Sequence, residues 1–234
     1  MLEPDDTTAP PASGERSYHH GNLRMALVDE AFLALRRGGA GAVSLRGVAA
    51  SVGVSPSAAY HHFPGKEALL RAVGAEVDRL FSRRLVDAAT AVRGDGARAA
   101  RDRFQALGRA YIAFAREEPN LFRHLFGPMC APGPGGGPVV SHGFAALLDS
   151  VEDLAGRGLL RDGVRDGLEV VAWSSVHGFA VLASEGFLPD SDEERLLSTL
   201  LAAVVDIPAG AATVSGRGGG RRAARPHRSV GAGA

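Results

Sequence analysis

Apolar residues recur at three- and four-residue spacing through most of this chain. Leu23, Ala26, Leu27, Ala31, Ala34 and Leu35 make one face of a first helix, the period of an amphipathic α-helix. Asn22 is a good N-cap for it, and Gly38-Gly39 stops it. Ser44 caps a second helix, Leu45–Val52, with Leu45, Val48, Ala49 and Val52 inward. Gly53 ends that helix, because a left-handed position just past a helix favours glycine. Ser55 caps a third helix, which opens on Pro56, where a missing N–H costs nothing, and runs to about His61. After a break at Phe63-Pro64-Gly65, a long helix is predicted from Lys66 to Ala91, with Leu69, Leu70, Val73, Val77, Leu80 and Leu85 as its stripe.

Past a turn at Gly94–Gly96, Ala97–Glu117 reads as a helix with Phe104, Leu107, Tyr111 and Phe114 inward. Pro119 opens a short helix holding Leu121, Phe122 and Leu125, and 127–138 is a glycine/proline connection, hence a loop. Val139–Gly156, Leu168–Phe187 and Asp192–Val205 complete the pattern. No run alternates with period two long enough to build a sheet, and no internal repeat is visible. The expectation is an all-α fold of about nine helices, with a three-helix N-terminal unit and a larger helical C-terminal domain. The expected boundaries are a disordered tail at 1–15, the first domain at 16–65, the second at 66–208 and a basic disordered tail at 209–234.

Composition narrows the class. At 45% apolar residues the chain can build a real core, which excludes wholesale disorder. One cysteine supports neither an internal disulfide nor a thiolate metal site. The first residues, MLEPDDTTAPPASGE, lack the apolar region of a signal peptide. Val170–Ala183, the most apolar stretch, is interrupted by Ser174, Ser175, His177 and Gly178 and is shorter than the ~20 residues that span a bilayer. A soluble, cytoplasmic protein without membrane contact is expected. The net charge is zero but uneven: residues 16–85 carry ten basic and five acidic side chains, and residues 86–210 carry eleven and seventeen. Such asymmetry points to a polyanion partner for the first segment and not for the second.

The basic segment contains SLRGVAASVGVSPSAAYHHF, Ser44–Phe63. Two short helices joined by a tight glycine turn are helix-turn-helix grammar. Ala49 and Gly53 are expected to let the helices approach closely, with Val48, Val52, Val54 and Ala59 filling the joint. The second helix would expose Ser57, Ala58 and His61, small or polar residues able to enter a major groove. Ser55 and Pro56 sit where free amides can hold a phosphate, and Tyr60 and Lys66 can each reach another. Arg46 lies on the exposed face of the preceding helix. The stretch closely resembles the TetR family of bacterial transcription regulators. The resemblance rests on Ser44-Leu45-Arg46-Gly47-Val48-Ala49, Gly53-Val54-Ser55, Tyr60-His61-His62-Phe63 and Lys66-Glu67-Ala68-Leu69-Leu70, and covers roughly Gly21–Ala72. It implies an all-α homodimer that binds double-stranded DNA at a pseudo-palindromic operator, and a C-terminal domain that takes a small-molecule effector. It also implies backbone contacts from Ser44, Ser55, Tyr60, His61 and Lys66, with Ser57 and Ala58 nearer base edges. Serine replaces the commoner threonine at Ser44 and keeps the capping oxygen.

Trp173-Ser174-Ser175-Val176-His177-Gly178 resembles the W-x-x-x-H-G signature of one TetR subgroup. Trp173 and His177 share one helix face, and Gly178 would admit a second helix. The resemblance implies a dimer interface there, including Trp173, His177, Gly178 and Val181, as a four-helix bundle with Asp192–Val205. Phe104, Tyr111, Phe122, Phe126, Phe144 and His177 are candidates for an effector pocket, although aromatics at helical spacing also build ordinary cores. His124, His142 and His177 read first as hydrogen-bonded structural histidines and only second as pocket groups. Each of the pairs His19-His20 and His61-His62 would supply at most one metal ligand, because neighbours on a helix diverge. Cys130 has no basic neighbour to activate it, and the tail arginines 217, 221, 222, 225 and 228 read either as a source of nonspecific DNA affinity or as a solvated tail. No phosphate loop, nucleophile elbow, HExxH or acidic metal cluster is present, and Glu117-Glu118 read as ordinary helix-end charges. No cofactor, no metal and no enzymatic activity are expected. The alternatives are a helix-turn-helix protein acting through protein partners, and a helical enzyme.

Overall fold

The computed structural model describes residues 20–127, 142–161, 164–188 and 192–206. The expected tails at 1–15 and 209–234, the connection at 127–138 beyond Gly127, Cys130, His19 and the side chains of His20 and His142 lie outside the described residues. Among the described residues the chain forms nine helices and no strand. They are α1 (His20–Ala42), α2 (Leu45–Val52), α3 (Pro56–His62), α4 (Lys66–Ala91), α5 (Ala97–Glu117), α6 (Pro119–Leu125), α7 (His142–Gly156), α8 (Leu168–Ser184) and α9 (Glu193–Val205).

The caps explain the boundaries. Ser44 Oγ accepts the Gly47 N–H at 3.0 Å and Ser55 Oγ accepts the Ala58 N–H at 3.2 Å. Each satisfies a first-turn amide that has no partner within its helix. Gly53 closes α2 at φ 79, with Val54 N–H bonded to Ala49 O and Gly53 N–H to Ala50 O. That is a Schellman stop, and it corrects one expectation: a Cβ at Gly53 would meet open space, so the glycine serves the left-handed turn and not a close helix approach. The same device ends α8 early. Gly186 at φ 76 passes its N–H to Ala183 O and Phe187 N–H reaches Leu182 O, so the helix stops at Ser184, short of Phe187. At the other end, α1 begins at His20, so Asn22 lies inside it. The helix breaks at Gly38 and Gly39, then recovers a last turn to Ala42.

Helices α1, α2 and α3 close around Leu27, Ala31, Leu35, Leu45, Val48, Ala49, Ala59 and Phe63, all buried. Burying one large aliphatic side chain contributes about 1.5–3 kcal/mol. Helix α4 runs out of this unit: Leu69, Leu70 and Val73 seal it, and further along Val77, Phe81 and Leu85 join the core of α5. Helix α5 is central, packed on α4, α6, α7, α8 and α9. A second buried cluster gathers Ala100, Phe104, Val151, Leu154, Val164, Leu168, Ala172 and Val204. Helix α6 bridges α1, α4 and α5.

Candidate nucleic-acid interface and aromatic cluster

The helix-turn-helix presents its polar positions outward and its apolar ones inward. Ser44, Arg46, Ser55, Pro56, Ser57, Tyr60, His61 and Lys66 are exposed, whereas Val48, Ala49, Ala59 and Phe63 between them are buried. Ala58 departs from expectation: its methyl group is half-buried against the core, which leaves Ser57 and His61 as the open positions of α3. Because Ser44 and Ser55 use an oxygen lone pair to accept a backbone amide, each hydroxyl hydrogen can still be donated to a phosphate. Among the described residues, Arg46 and Lys66 have no ion pair, so both cations are open to a polyanion. His61 and His62 meet edge to face at 5.6 Å. Arg24, which the sequence reading did not single out, lies over the Phe63 ring at 5.0 Å, beside the end of α3. An arginine thirty-nine positions away from its aromatic partner leaves no periodic signal.

The C-terminal domain brings five of the six candidate pocket residues together. Tyr111, Phe122, Phe126, Phe144 and His177 join Phe81, Phe114 and Trp173 in one network of ring contacts with centroids 4.9–6.4 Å apart. Phe104 packs apart from them, in the second cluster. A polar thread runs through the rings. Trp173 Nε1–H reaches the Tyr111 hydroxyl oxygen at 3.4 Å, and Tyr111 O–H pairs with His177 Nδ1 at 2.8 Å. The indole can only donate, so the arrangement that uses every group has the phenol donating onward to His177 Nδ1, with the imidazole proton on Nε2. Burial pushes the Tyr111 phenol above its ordinary range, and burial lowers His177 below its own. In both groups burial favours the neutral form. His124 is buried as well, with Nε2 bonded to Leu70 O at 3.0 Å, a structural tie between α6 and α4.

Two surfaces frame this cluster. Along α8, Val170, Trp173, Val181 and Leu182 are exposed, and a Cβ at Gly178 would meet nothing within 4 Å. Helix α8 is thus apolar on its outward side as well as its buried one. At the α5–α6 elbow, Glu118 overturns its reading as an ordinary helix-end charge, since its carboxylate is 3% exposed. It takes Arg36 Nε at 2.7 Å and Arg36 Nη2 at 2.5 Å, with Arg84 Nη2 at 3.6 Å.

Comparisons with known proteins match both halves. Residues 27–73 match the family described as bacterial regulatory proteins, tetR family. Residues 104–204 match the tetracyclin repressor-like C-terminal domain. A protein of unknown function from Rhodococcus sp. RHA1 is 30% identical, with 83% of this chain and 100% of that one aligned at a TM-score of 0.68. A TetR family transcription regulator from Marinobacter aquaeolei VT8 shares the fold at 21% identity and TM-score 0.56, over 78% and 93% of the two chains. The TetR family regulator PfmR from Thermus thermophilus does so at 16% and 0.51, over 76% and 93%. A comparison with curated proteins yields no match. Among the described residues, no helix is long and apolar enough to cross a membrane. The two family matches together take in more than half of the sequence, and on them this chain belongs to the TetR family: a DNA-binding transcription regulator and not an enzyme.

Proposed function

We propose that the chain is a cytoplasmic homodimeric repressor released from a pseudo-palindromic operator by a small-molecule effector. The DNA-binding domain spans 16–65, and 66–208 carry effector binding and dimerisation. The observation that carries the DNA half is the sorting of Ser44–Lys66, with polar groups and two unpaired cations outward. In this reading α3 enters the major groove with Ser57 and His61 toward base edges, while the half-buried Ala58 keeps the surface between them low. Ser44, Arg46, Ser55, Pro56, Tyr60 and Lys66 hold the flanking phosphates, and Arg24 reinforces them. Backbone contacts then supply most of the affinity and make it salt-dependent.

The effector binds at the cluster of Tyr111, Phe122, Phe126, Phe144 and His177, whose rings supply apolar area and whose hydroxyl–imidazole pair orients a polar group. It releases DNA by favouring one arrangement of the two subunits over another. The C-terminal domain falls in the W-x-x-x-H-G subgroup. Its dimer interface lies on α8 at Trp173, His177, Gly178 and Val181, with α9 beside it, supported by the apolar outward side of α8.

Fluorescence anisotropy tests the regulatory reading, using duplexes from the DNA beside this protein's own gene and shuffled controls across a salt series. Tight, salt-sensitive binding to the first duplex alone is expected. Folded protein that binds neither duplex at low salt defeats the reading. Gly178→Leu tests the interface. On the outward side of an isolated subunit it adds helix propensity of up to about 1 kcal/mol, so folding survives while the dimer separates in sedimentation. A stable dimer would refute the assignment.

A further inference from the structure

We infer that Glu118 is a positioning residue for operator recognition, whose clamp on Arg36 and Arg84 sets the half-site spacing the dimer accepts. The inference rests on the dimeric-regulator reading above. Two routes join the DNA-binding unit to the rest of the chain. One is α4, continuous from Lys66 to Ala91. The other is the seam between the C-terminal part of α1 and the α5–α6 elbow, and Glu118 is its centre. Arg36 on α1 grips both carboxylate oxygens, Nε to Oε2 at 2.7 Å and Nη2 to Oε1 at 2.5 Å. Arg84 on α4 brings Nη2 to 3.6 Å from Oε1, gives Nη1 to Glu117 at 2.5 Å and lies over the Phe114 ring. One buried carboxylate thus ties α1, α4 and the elbow into a triangle.

The backbone reinforces the seam. The break at Gly38-Gly39 ends the regular part of α1 two residues after Arg36, and carbonyls in a last turn lack partners within their helix. Asn120 Nδ2, from α6, donates to Arg36 O at 3.0 Å. Asn120 Oδ1 sits 3.4 Å from where a Cβ on Gly39 would stand, at a φ of 70 that also favours glycine. A bidentate guanidinium–carboxylate pair fixes orientation as well as distance. A single long helix, packed at both ends, can still bend along its length; a second, bidentate strut resists that bending.

Spacing is the property such a strut controls. The subunits join through the C-terminal domain, so the separation of the two recognition helices depends on the angle at this seam. Moving half-sites apart by one base pair shifts them by about 3.4 Å and turns them by about 35°. A rigid seam rejects that duplex, and a loosened one tolerates it.

The experiment uses the full-length dimer. Wild type first selects its operator from a randomised duplex library. Duplexes with the selected spacing, one base pair less and one more are then titrated by anisotropy with wild type, Glu118→Gln and Arg36→Gln. Both variants should narrow the affinity ratio between selected and altered spacings by about fivefold or more, the lower end of couplings between sites. Arg36→Lys, which keeps the charge and loses the fork, should fall between. A merely structural loss lowers active protein for all duplexes alike and leaves the ratio unmoved. Arg36 is half-exposed, so its variants carry the test if Glu118→Gln does not fold. Unchanged ratios in the folded variants overturn this inference alone. A wild type that selects no duplex overturns the regulator reading, and this inference with it.

Discussion

Lys66→Ala separates phosphate contact from folding. Lys66 opens α4, is exposed, and has no ion pair among the described residues. Its charge sits at the positive end of the α4 dipole, which costs rather than contributes stability, by about 0.3–1 kcal/mol. Alanine is also the better helix former, so the variant should melt no lower than wild type. On the proposed reading the substitution removes two phosphate contacts from a complex of two subunits. Each contributes about −0.9 to the slope of log affinity against log salt, so the slope should flatten by about 1.8. Over a fourfold rise in salt, from about 50 to about 200 mM, wild type should lose about tenfold more affinity than the variant. Tyr60→Phe is the matched control. It removes a neutral donor from an exposed ring and releases no counterion, so affinity should fall by a similar factor at every salt, with the slope kept. Anisotropy on the selected operator reads both. A Lys66→Ala slope within about 0.3 of wild type, less than half of one contact, would refute the backbone assignment of Lys66 whatever its affinity.

Two glycines should fail for opposite reasons. Gly53→Ala costs about 1–2 kcal/mol through its left-handed φ alone, whereas Gly108→Ala, on a regular helix, costs about 1–3 kcal/mol because its methyl group meets buried Leu201 of α9. Urea titration distinguishes them: Leu201→Ala should be partly compensated by Gly108→Ala and should simply add to Gly53→Ala. Tyr111→Phe strips His177 Nδ1 and Trp173 Nε1 of their shared partner, and should cost about 1–3 kcal/mol in the same assay. His177 also sets a pH dependence. Burial lowers its pKa in the folded chain, so the unfolded chain binds more protons below about 6.5, and stability present above that pH is lost as pH falls. Melting scans should show a shallower acid decline for His177→Leu than for wild type; equal declines would discount the neutral imidazole.

Local chemistry was legible in the sequence, and pairing at a distance was not. Ser44, Gly53, Ser55 and Pro56 announce α2 and α3 because a cap acts within four residues, and α2, α4 and α5 fall where their apolar stripes place them. Gly186 carries the same kind of signal as Gly53, but the apolar run that reaches Phe187 masks it. Glu118 reads as a surface charge because its meaning depends on Arg36, eighty-two residues earlier. Tyr111 and His177 become a pair only once α5 and α8 pack, sixty-six residues apart in sequence. Phe104 carries the same helical spacing as Tyr111 yet joins the other cluster, so spacing identifies an inward face without saying what meets it. The most consequential element was the hardest to weigh. Helix α6 is seven residues long, under two turns, too short for its period to carry information. Through Phe122, and through Phe126 just past its end, it touches the rings around His177, and through Asn120 and His124 it holds backbone carbonyls of α1 and α4. A displacement of the ring cluster therefore has a packed, hydrogen-bonded route of one short helix to the DNA-binding unit, and Glu118 stands at the head of that helix.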